Sequence, residues 1–277
     1  MEFASEDLDR LITIETRPRF WRGKIKKLYE AARSKVGKPL TLAAAERLIE
    51  MVKPESTVII TSGFITPVWF PKGETDGPLG GIAILHAIQK GMNGKAVFIS
   101  EEPFTGVLKA ACMSGGIRTF GYDDMKKIPF SVAVQSFPVN EEEAKQEAKR
   151  LIEDLNPTAI IATEKCGRNE VGVYHTGYGY DISRTTAKVD YLFDEARKKG
   201  ILTIGVGDLG NEIGMGSIRD TVRATIPNAS KCKCPCGAGI ATVTRADIPV
   251  VAAVCDWGLY GIAACISGLL EKPDALF

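Results

Sequence analysis

The feature that most constrains the fold is a repeated alternation. Short, unbroken apolar runs rich in β-branched residues are separated by stretches with helical periodicity. The runs are TVIITSGF (57–64), KAVFIS (95–100), SVAVQSF (131–137), TAIIATE (158–164), ILTIGVG (201–207) and IPVVAAV (248–254). A strand that is apolar at every position must be covered on both faces, and helices between successive strands supply that cover. The expectation is therefore an α/β fold: a mainly parallel sheet of about six strands with helices on both faces. A short ribbon at ATVT (241–244) is expected to add to one edge. Helical spacing in residues 1–54 (Leu8, Leu11, Ile12, then Ile25, Leu28, Ala32) predicts a helical segment packed on a single α/β domain spanning 1–277, with Thr41 as the N-cap of LAAAERLIEMV.

Composition narrows the functional classes. Of the 277 residues, 45% are hydrophobic and 25% charged, a globular mix with enough apolar material for a large core. The 35 basic and 34 acidic residues nearly cancel, so no net field draws the chain to nucleic acid or an anionic membrane. No apolar run reaches membrane-spanning length, and Gly258–Leu270 reads as a buried helix. The start, MEFASEDLDRL, is acidic and lacks a secretion-signal pattern, which points to a cytoplasmic location. The expected partner is a small molecule, with homo-oligomerisation left open. Cys112, Cys166, Cys255 and Cys265 lie in apolar or strand-end surroundings and read as reduced core residues.

In an open parallel sheet, ligands bind beyond the carboxyl ends of the strands, so the chemistry should sit in the loops just past each apolar run. After the first comes a long loop entering a helix (66–81), where Glu74, Thr75 and Asp76 precede Gly77-Pro78. Thr75 or Asp76 could cap that helix, and the free amides of a glycine-rich helix entry suit a substrate carboxylate or phosphate. After the second come Glu101 and Glu102, of which at most one can face a site. After the fourth, Glu164 ends an apolar strand, a costly place for a carboxylate without a partner. Lys165 or Arg168 could pair with it; alternatively Arg168 could hold a substrate carboxylate through two hydrogen bonds. The next loop, rich in Gly and Tyr and containing His175 and Asp181, reads as a substrate-covering segment.

The most informative segment is GVGDLGNEIGMGSI (205–218). Its glycine density costs stability, which implies close backbone approach to a ligand or positive φ. Asp208 and Glu212 are spaced i,i+4, so a helical turn would place both on one face, with Asn211 beside them. Two carboxylates and an amide oxygen suit a hard divalent ion, Mg²⁺ or Mn²⁺, better than zinc. The glycine pattern is not a dinucleotide fingerprint, because an acidic residue occupies the pyrophosphate position. After the sixth run, Asp256 again ends a strand and Trp257-Gly258 offers a flat wall.

Other chemistry finds little support. Cys232, Cys234 and Cys236 alternate in SKCKCPCGAG and would face one side of an extended chain, open to zinc, a disulfide or reactive thiols. Cys-x-Cys-x-Cys is not the usual zinc spacing and no second half is visible, so the active site is not expected there. With only His86 and His175, and no G-x-S-x-G, a serine hydrolase is not indicated; no Walker loop is present either.

Taken together, SGF (62–64), ETDGPLG (74–80), EKCGRN…GVY (164–174), GDLGNEIGMG (207–216) and DWGLYG (256–261) resemble the C-terminal domain of the D-glutamate cyclase family, across most of the chain from about Ser62 to Gly261. The resemblance implies an enzyme that closes D-glutamate to 5-oxo-D-proline with loss of water. The animal enzyme carries an additional N-terminal domain not found in this sequence, which leaves room for a related small acid as substrate. On this reading the metal set is Asp76, Glu164, Asp208 and Glu212, with catalysis by Glu164, Asp208 and Glu212 and Glu164 as first candidate for the base. Thr75, Asp76, Gly77, Arg168, Asn211 and Asp256 would contact substrate. Two alternatives remain: an Mg²⁺-dependent phosphoryl-group enzyme, and a protein that binds an amino acid or metal without turnover.

Overall fold

In a computed structural model, which describes residues 2–16, 22–67 and 69–276, the described residues form a seven-stranded, all-parallel sheet with helices around it. Met1, residues 17–21 and Val68, which fall within the N-terminal segment and the 66–81 loop singled out above, lie outside the described residues. The strands are β1 (Thr57–Ser62), β2 (Lys95–Ser100), β3 (Arg118–Phe120), β4 (Ser131–Ser136), β5 (Ala159–Thr163), β6 (Leu202–Gly207) and β7 (Ile248–Val251), in the order β3-β4-β2-β1-β5-β6-β7. The chain starts in the middle at β1, builds outward through β2, then crosses to the other side at β5. The strand order thus reverses between β1 and β5, which pair in register from Val58–Ala159 to Ser62–Thr163. A crevice opens at such a reversal because the flanking connections leave in opposite directions.

Alternation of side chains along the strands feeds two cores. Val58 and Ile60 of β1 join one cluster and Ile59 the other. The second cluster is covered by α7 (Glu141–Leu155) and α8 (Asp190–Lys198), through Ala148, Leu151, Leu192 and Phe193. The first is covered by α1 (Glu2–Ile12), α2 (Lys24–Val36), α3 (Leu40–Met51), α4 (Pro78–His86), α5 (Thr105–Ser114) and α10 (Cys255–Leu270). The short α6 (Tyr122–Met125) and α9 (Arg219–Thr225) complete the helices among the described residues. α4 runs on as a π-helical turn, Ala87–Gly91. Among the described residues, no helix is long and apolar enough to cross a membrane. Cys112, Cys166, Cys255 and Cys265 are buried and unbridged, as expected.

Three expectations are corrected. β3 was not foreseen: its three residues, between Ile117 and Gly121, are too few to show a period. ATVT is not an edge strand. It crosses the loops instead, with Thr242 and Val243 amides donating to the Gly210 and Arg168 carbonyls. Thr41 is not an N-cap either. α3 begins at Leu40, and its first amides are taken by Asp9 from α1, which accepts from the Leu40 N–H (2.6 Å), the Thr41 N–H (3.2 Å) and the Thr41 hydroxyl (2.6 Å). The Tyr29 hydroxyl also donates to Asp9, at 2.8 Å. Bonds to a buried charged acceptor are worth about 1.5–3 kcal/mol each, less than additively. Asp9→Ala is therefore expected to cost about 2–4 kcal/mol in urea unfolding, with Asp9→Asn losing less than half of that; equal losses would show that the cap is not what Asp9 provides.

Candidate active site

The site is built where the sheet reverses. The carboxyl ends of β1, β5 and β6 and the start of α10 surround a cavity of about 330 Å³. Its carboxylates are Glu74, Asp76, Glu164, Asp208 and Asp256, each delivered by a different motif or by the loop before α4. Phe64, Trp69, Phe70 and Tyr178 supply apolar walls, and Thr66, Thr75, Thr176 and Asn211 further polar groups.

Glu164 is the hub. It follows β5 directly and holds φ at 49°, the left-handed region that costs a side-chain-bearing residue about 1 kcal/mol or more. Its Oε2 is buried without a hydrogen-bond partner. The cations next to it in sequence are committed elsewhere. Lys165 is fully buried in an ion pair with Glu101, and Arg168 pairs with Asp190 (2.5 Å) and Asp194 (2.6 Å). Burial first, then the charges of Asp208, Glu74 and Asp76, push the Glu164 carboxyl well above the carboxylate range.

Asp208 and Glu212 meet, but not as a helical turn. The segment is a loop that folds back on itself because Glu212 accepts the Gly210 amide (2.7 Å) and the Leu209 amide (3.2 Å). Its glycines serve this fold rather than direct ligand approach. Gly205 and Gly214 touch backbone to backbone, so a Cβ on Gly214 (φ 99°) would lie 2.7 Å from the Gly205 Cα. Glu212 lies beneath the cavity, where burial raises its carboxyl against the lowering effect of those amides. Asp208 lines the cavity; burial and the Glu212 charge raise its carboxyl well above normal, and its buried Oδ1 has no hydrogen-bond partner. Ligand atoms of Glu164, Asp208 and Glu212 lie within 4.8 Å of one another, as do those of Asp76, Glu164 and Cys255. A cluster of buried and half-buried carboxylates, with unpaired oxygens at Glu164 and Asp208, has the composition of a hard-cation site.

Beside this cluster two helix entries are cross-capped. Asp76, ahead of α4, accepts the Cys255 (3.1 Å) and Asp256 (2.8 Å) amides at the start of α10. Asp256, in the first turn of α10, accepts the Gly77 (2.8 Å) and Gly80 (2.6 Å) amides at the start of α4. Burial pushes the Asp256 carboxyl up to about 6. The Gly77 amide, expected to be free for a substrate carboxylate, is thus already bonded to Asp256, and the Gly210 amide to Glu212.

The family model described as D-glutamate cyclase-like, C-terminal, matches residues 22–276. The chain belongs to this family. Human mitochondrial D-glutamate cyclase is 29% identical over 222 residues, covering 76% of this chain and 32% of the relative, so the chain spans about a third of that protein's length. Its name places that relative in mitochondria, in contrast to the cytoplasmic location expected for this chain. Two solved structures align at 11% identity. A thiolation-reductase di-domain from an archaeal non-ribosomal peptide synthetase covers 88% of this chain and 43% of that one, with a TM-score of 0.34. E. coli tRNA N6-threonylcarbamoyladenosine dehydratase covers 89% and 95%, with a TM-score of 0.32. At those scores neither likeness bears on fold or function.

In this D-glutamate cyclase-like chain the expected site residues separate into three groups. Thr75, Asp76, Glu164, Asp208, Asn211 and Asp256 line the cavity. Glu212 and Gly77 stand behind it, one folding the 208–212 loop and the other preceding α4 at φ 102°, where a Cβ would meet the Ser62 hydroxyl at 2.5 Å. Arg168 does not line the cavity; its guanidinium lies against the Tyr191 ring, 4.6 Å from the centroid, and its two carboxylate partners are on α8. Trp257 does not line the cavity either; it packs against the core, and the aromatic walls come from loops. Trp69 and Tyr178 were missed, though their place in two Gly-rich loops after strands was a usable signal. Asn211 donates to the His175 carbonyl at 3.1 Å, which joins the 208–212 loop to the covering loop and leaves its buried Oδ1 without a partner.

Proposed function

We propose that this chain catalyses dehydrative ring closure of a small acidic amino acid, with D-glutamate as substrate and 5-oxo-D-proline and water as products. The observation that carries the reading is the convergence of Asp76, Glu164, Asp208 and Asp256 on one cavity of small-molecule size, with buried carboxylate oxygens left unpaired at Glu164 and Asp208. The family membership and the name of the human relative point to the same substrate.

Mg²⁺ or Mn²⁺ would be held by Glu164 and Asp208, with Asp76 close to Glu164, and Asn211 Oδ1 offers a further hard oxygen. Bound there, such a cation would supply Lewis-acid polarisation of the substrate side-chain carboxylate. The remaining work falls to the protein's own residues. Asp256, which lines the same cavity, attracts the substrate ammonium and takes a proton from it. With Oδ1 committed to the Gly77 and Gly80 amides, Oδ2 is the oxygen for this role. Because Glu164 is the hub of the cation donors, the base role expected of it passes to Asp256. The freed amine attacks the side-chain carboxyl carbon and a C–N bond forms; the nitrogen gives up a second proton to one carboxyl oxygen, the C–O bond to that oxygen breaks, and the departing hydroxide takes back the proton held by Asp256 to leave as water. Phe64, Trp69 and Tyr178 restrict the extended substrate to folded conformers and limit water, which favours an intramolecular attack.

A phosphoryl-group enzyme fits less well, since the cavity lining contains acids but no Lys or Arg. NMR of the protein incubated with D-glutamate and Mn²⁺ or Mg²⁺ is expected to show 5-oxoproline growing in, with L-glutamate much slower. Saturable thermal stabilisation by D-glutamate without product would identify a binder instead.

A further inference from the structure

We propose that Cys232, Cys234, Cys236 and His175 bind one structural zinc ion, which fastens the covering loop to the cysteine loop beside the cavity. A turn closed by the Gly237 amide donating to the Cys234 carbonyl (3.3 Å) gathers the three sulfurs of Cys-Lys-Cys-Pro-Cys, and the fourth ligand arrives 59 positions before Cys234 in sequence. His175 Nε2 lies 3.2 Å from the Cys234 sulfur and 3.5 Å from that of Cys236. The Cys232 sulfur lies 3.5 Å from that of Cys234 and 3.2 Å from that of Cys236. All four ligand atoms fall within 4.8 Å of one another. A tetrahedral zinc with bonds of about 2.3 Å to sulfur and about 2.0 Å to nitrogen separates its ligands by about 3.5–3.8 Å. The observed spacings therefore need only a few tenths of an ångström of expansion. Three soft thiolates and an imidazole select zinc over Mg²⁺ or Mn²⁺, and a complete set of four protein ligands makes the site structural rather than catalytic.

The surroundings fit a metal thiolate. The buried Asn169 side chain reaches the Cys236 sulfur at 3.6 Å and the Gly239 carbonyl at 2.8 Å, an outer partner for one ligand and for the turn that carries it. Lys231 and Lys233 flank Cys232 and offset the net negative charge of three thiolates, an imidazole and Zn²⁺. The two loops already touch: the Lys233 amide donates to the Gly179 carbonyl at 3.0 Å, and the Asn228 side chain to that of Gly177 at 3.3 Å. Thr176, Gly177 and Tyr178, which follow His175, line the cavity, and Trp69 packs edge-on against Tyr178 and Tyr180 at 5.4 and 5.3 Å. Fixing His175 thus fixes that wall of the cavity. The zinc site stands independently of the substrate assignment.

Elemental analysis of the full chain, purified under reducing conditions without chelator, is expected to give about one zinc per chain. Cys234→Ser should lose it, while Glu164→Gln, which alters only the carboxylate cluster, should retain it. Cobalt(II) exchanged into the wild-type protein should give the intense visible bands of tetrahedral thiolate ligation, a readout that needs no variant to fold. Removing zinc with a chelator should accelerate amide exchange at residues 176–180 at least tenfold. Substoichiometric zinc with all three thiols open to a thiol reagent, or a mass two hydrogens lighter from a disulfide, overturns the site. Unchanged exchange after zinc removal overturns its anchoring role.

Discussion

Glu164→Gln is expected to abolish ring closure and, at the same time, to raise the melting temperature of the chelator-treated protein. The two effects share a cause. Glu164 is buried among Asp208, Glu74 and Asp76, at a positive φ and with an unpaired oxygen, an arrangement that costs stability whenever no cation is present. The amide removes the charge but keeps the shape and the backbone strain. Relief of burial and repulsion should be worth about 1–2 kcal/mol, roughly 2–4 °C per kcal/mol for a chain of this size. Loss of a cation donor should lower kcat by about a thousandfold or more and weaken Mn²⁺ binding in calorimetry. A variant that melts lower while retaining turnover would place Glu164 among structural residues; unchanged Mn²⁺ affinity would remove it from the cation site.

Much of the fold was legible because apolar continuity is a signal carried by every residue of a buried strand. TVIITS, KAVFIS and LTIGVG need no partner to be recognised, and the order of strands and helices then places the site at their carboxyl ends. Glu164, Asp208 and Asp256 could be found in the same way, as carboxylates just beyond apolar runs where none should be without a reason, and Asp76 by its place ahead of a glycine-rich helix entry. What failed was pairing. Arg168 is four residues from Glu164 and looked like its partner or a substrate clamp, but Asp190 and Asp194 present an i,i+4 pair of carboxylates on α8 that holds the guanidinium from both sides. The helix caps failed likewise: Asp9 caps a helix 31 residues on and Asp76 one 179 residues on, distances at which local capping rules have no reach. His175 and the cysteine loop are a third instance, since spacing rules search for ligands near each other in sequence.

Asp256 separates structural from chemical contributions at one carboxylate, and its two substitutions are expected to diverge. Its Oδ1 accepts the Gly77 and Gly80 amides, which holds the start of α4 against the start of α10. Asp256→Ala leaves two buried donors without an acceptor and loosens α4, and with it the loop carrying Asp76; the expected cost is about 2–4 kcal/mol. Asp256→Asn keeps an oxygen for both amides, so its cost should stay below about 1 kcal/mol. It can no longer take up a proton or carry charge toward the substrate ammonium, and kcat should fall about a hundredfold or more, with zinc and Mn²⁺ content unchanged. Urea unfolding and steady-state kinetics on the pair decide between the roles. If the asparagine variant is both stable and active, the carboxylate is only a cap, and the proton must leave through Glu74 or Glu164. If it is as unstable as the alanine variant, the amides require the negative charge itself, and loss of activity in either variant reports on the fold of the α4 entry rather than on proton transfer.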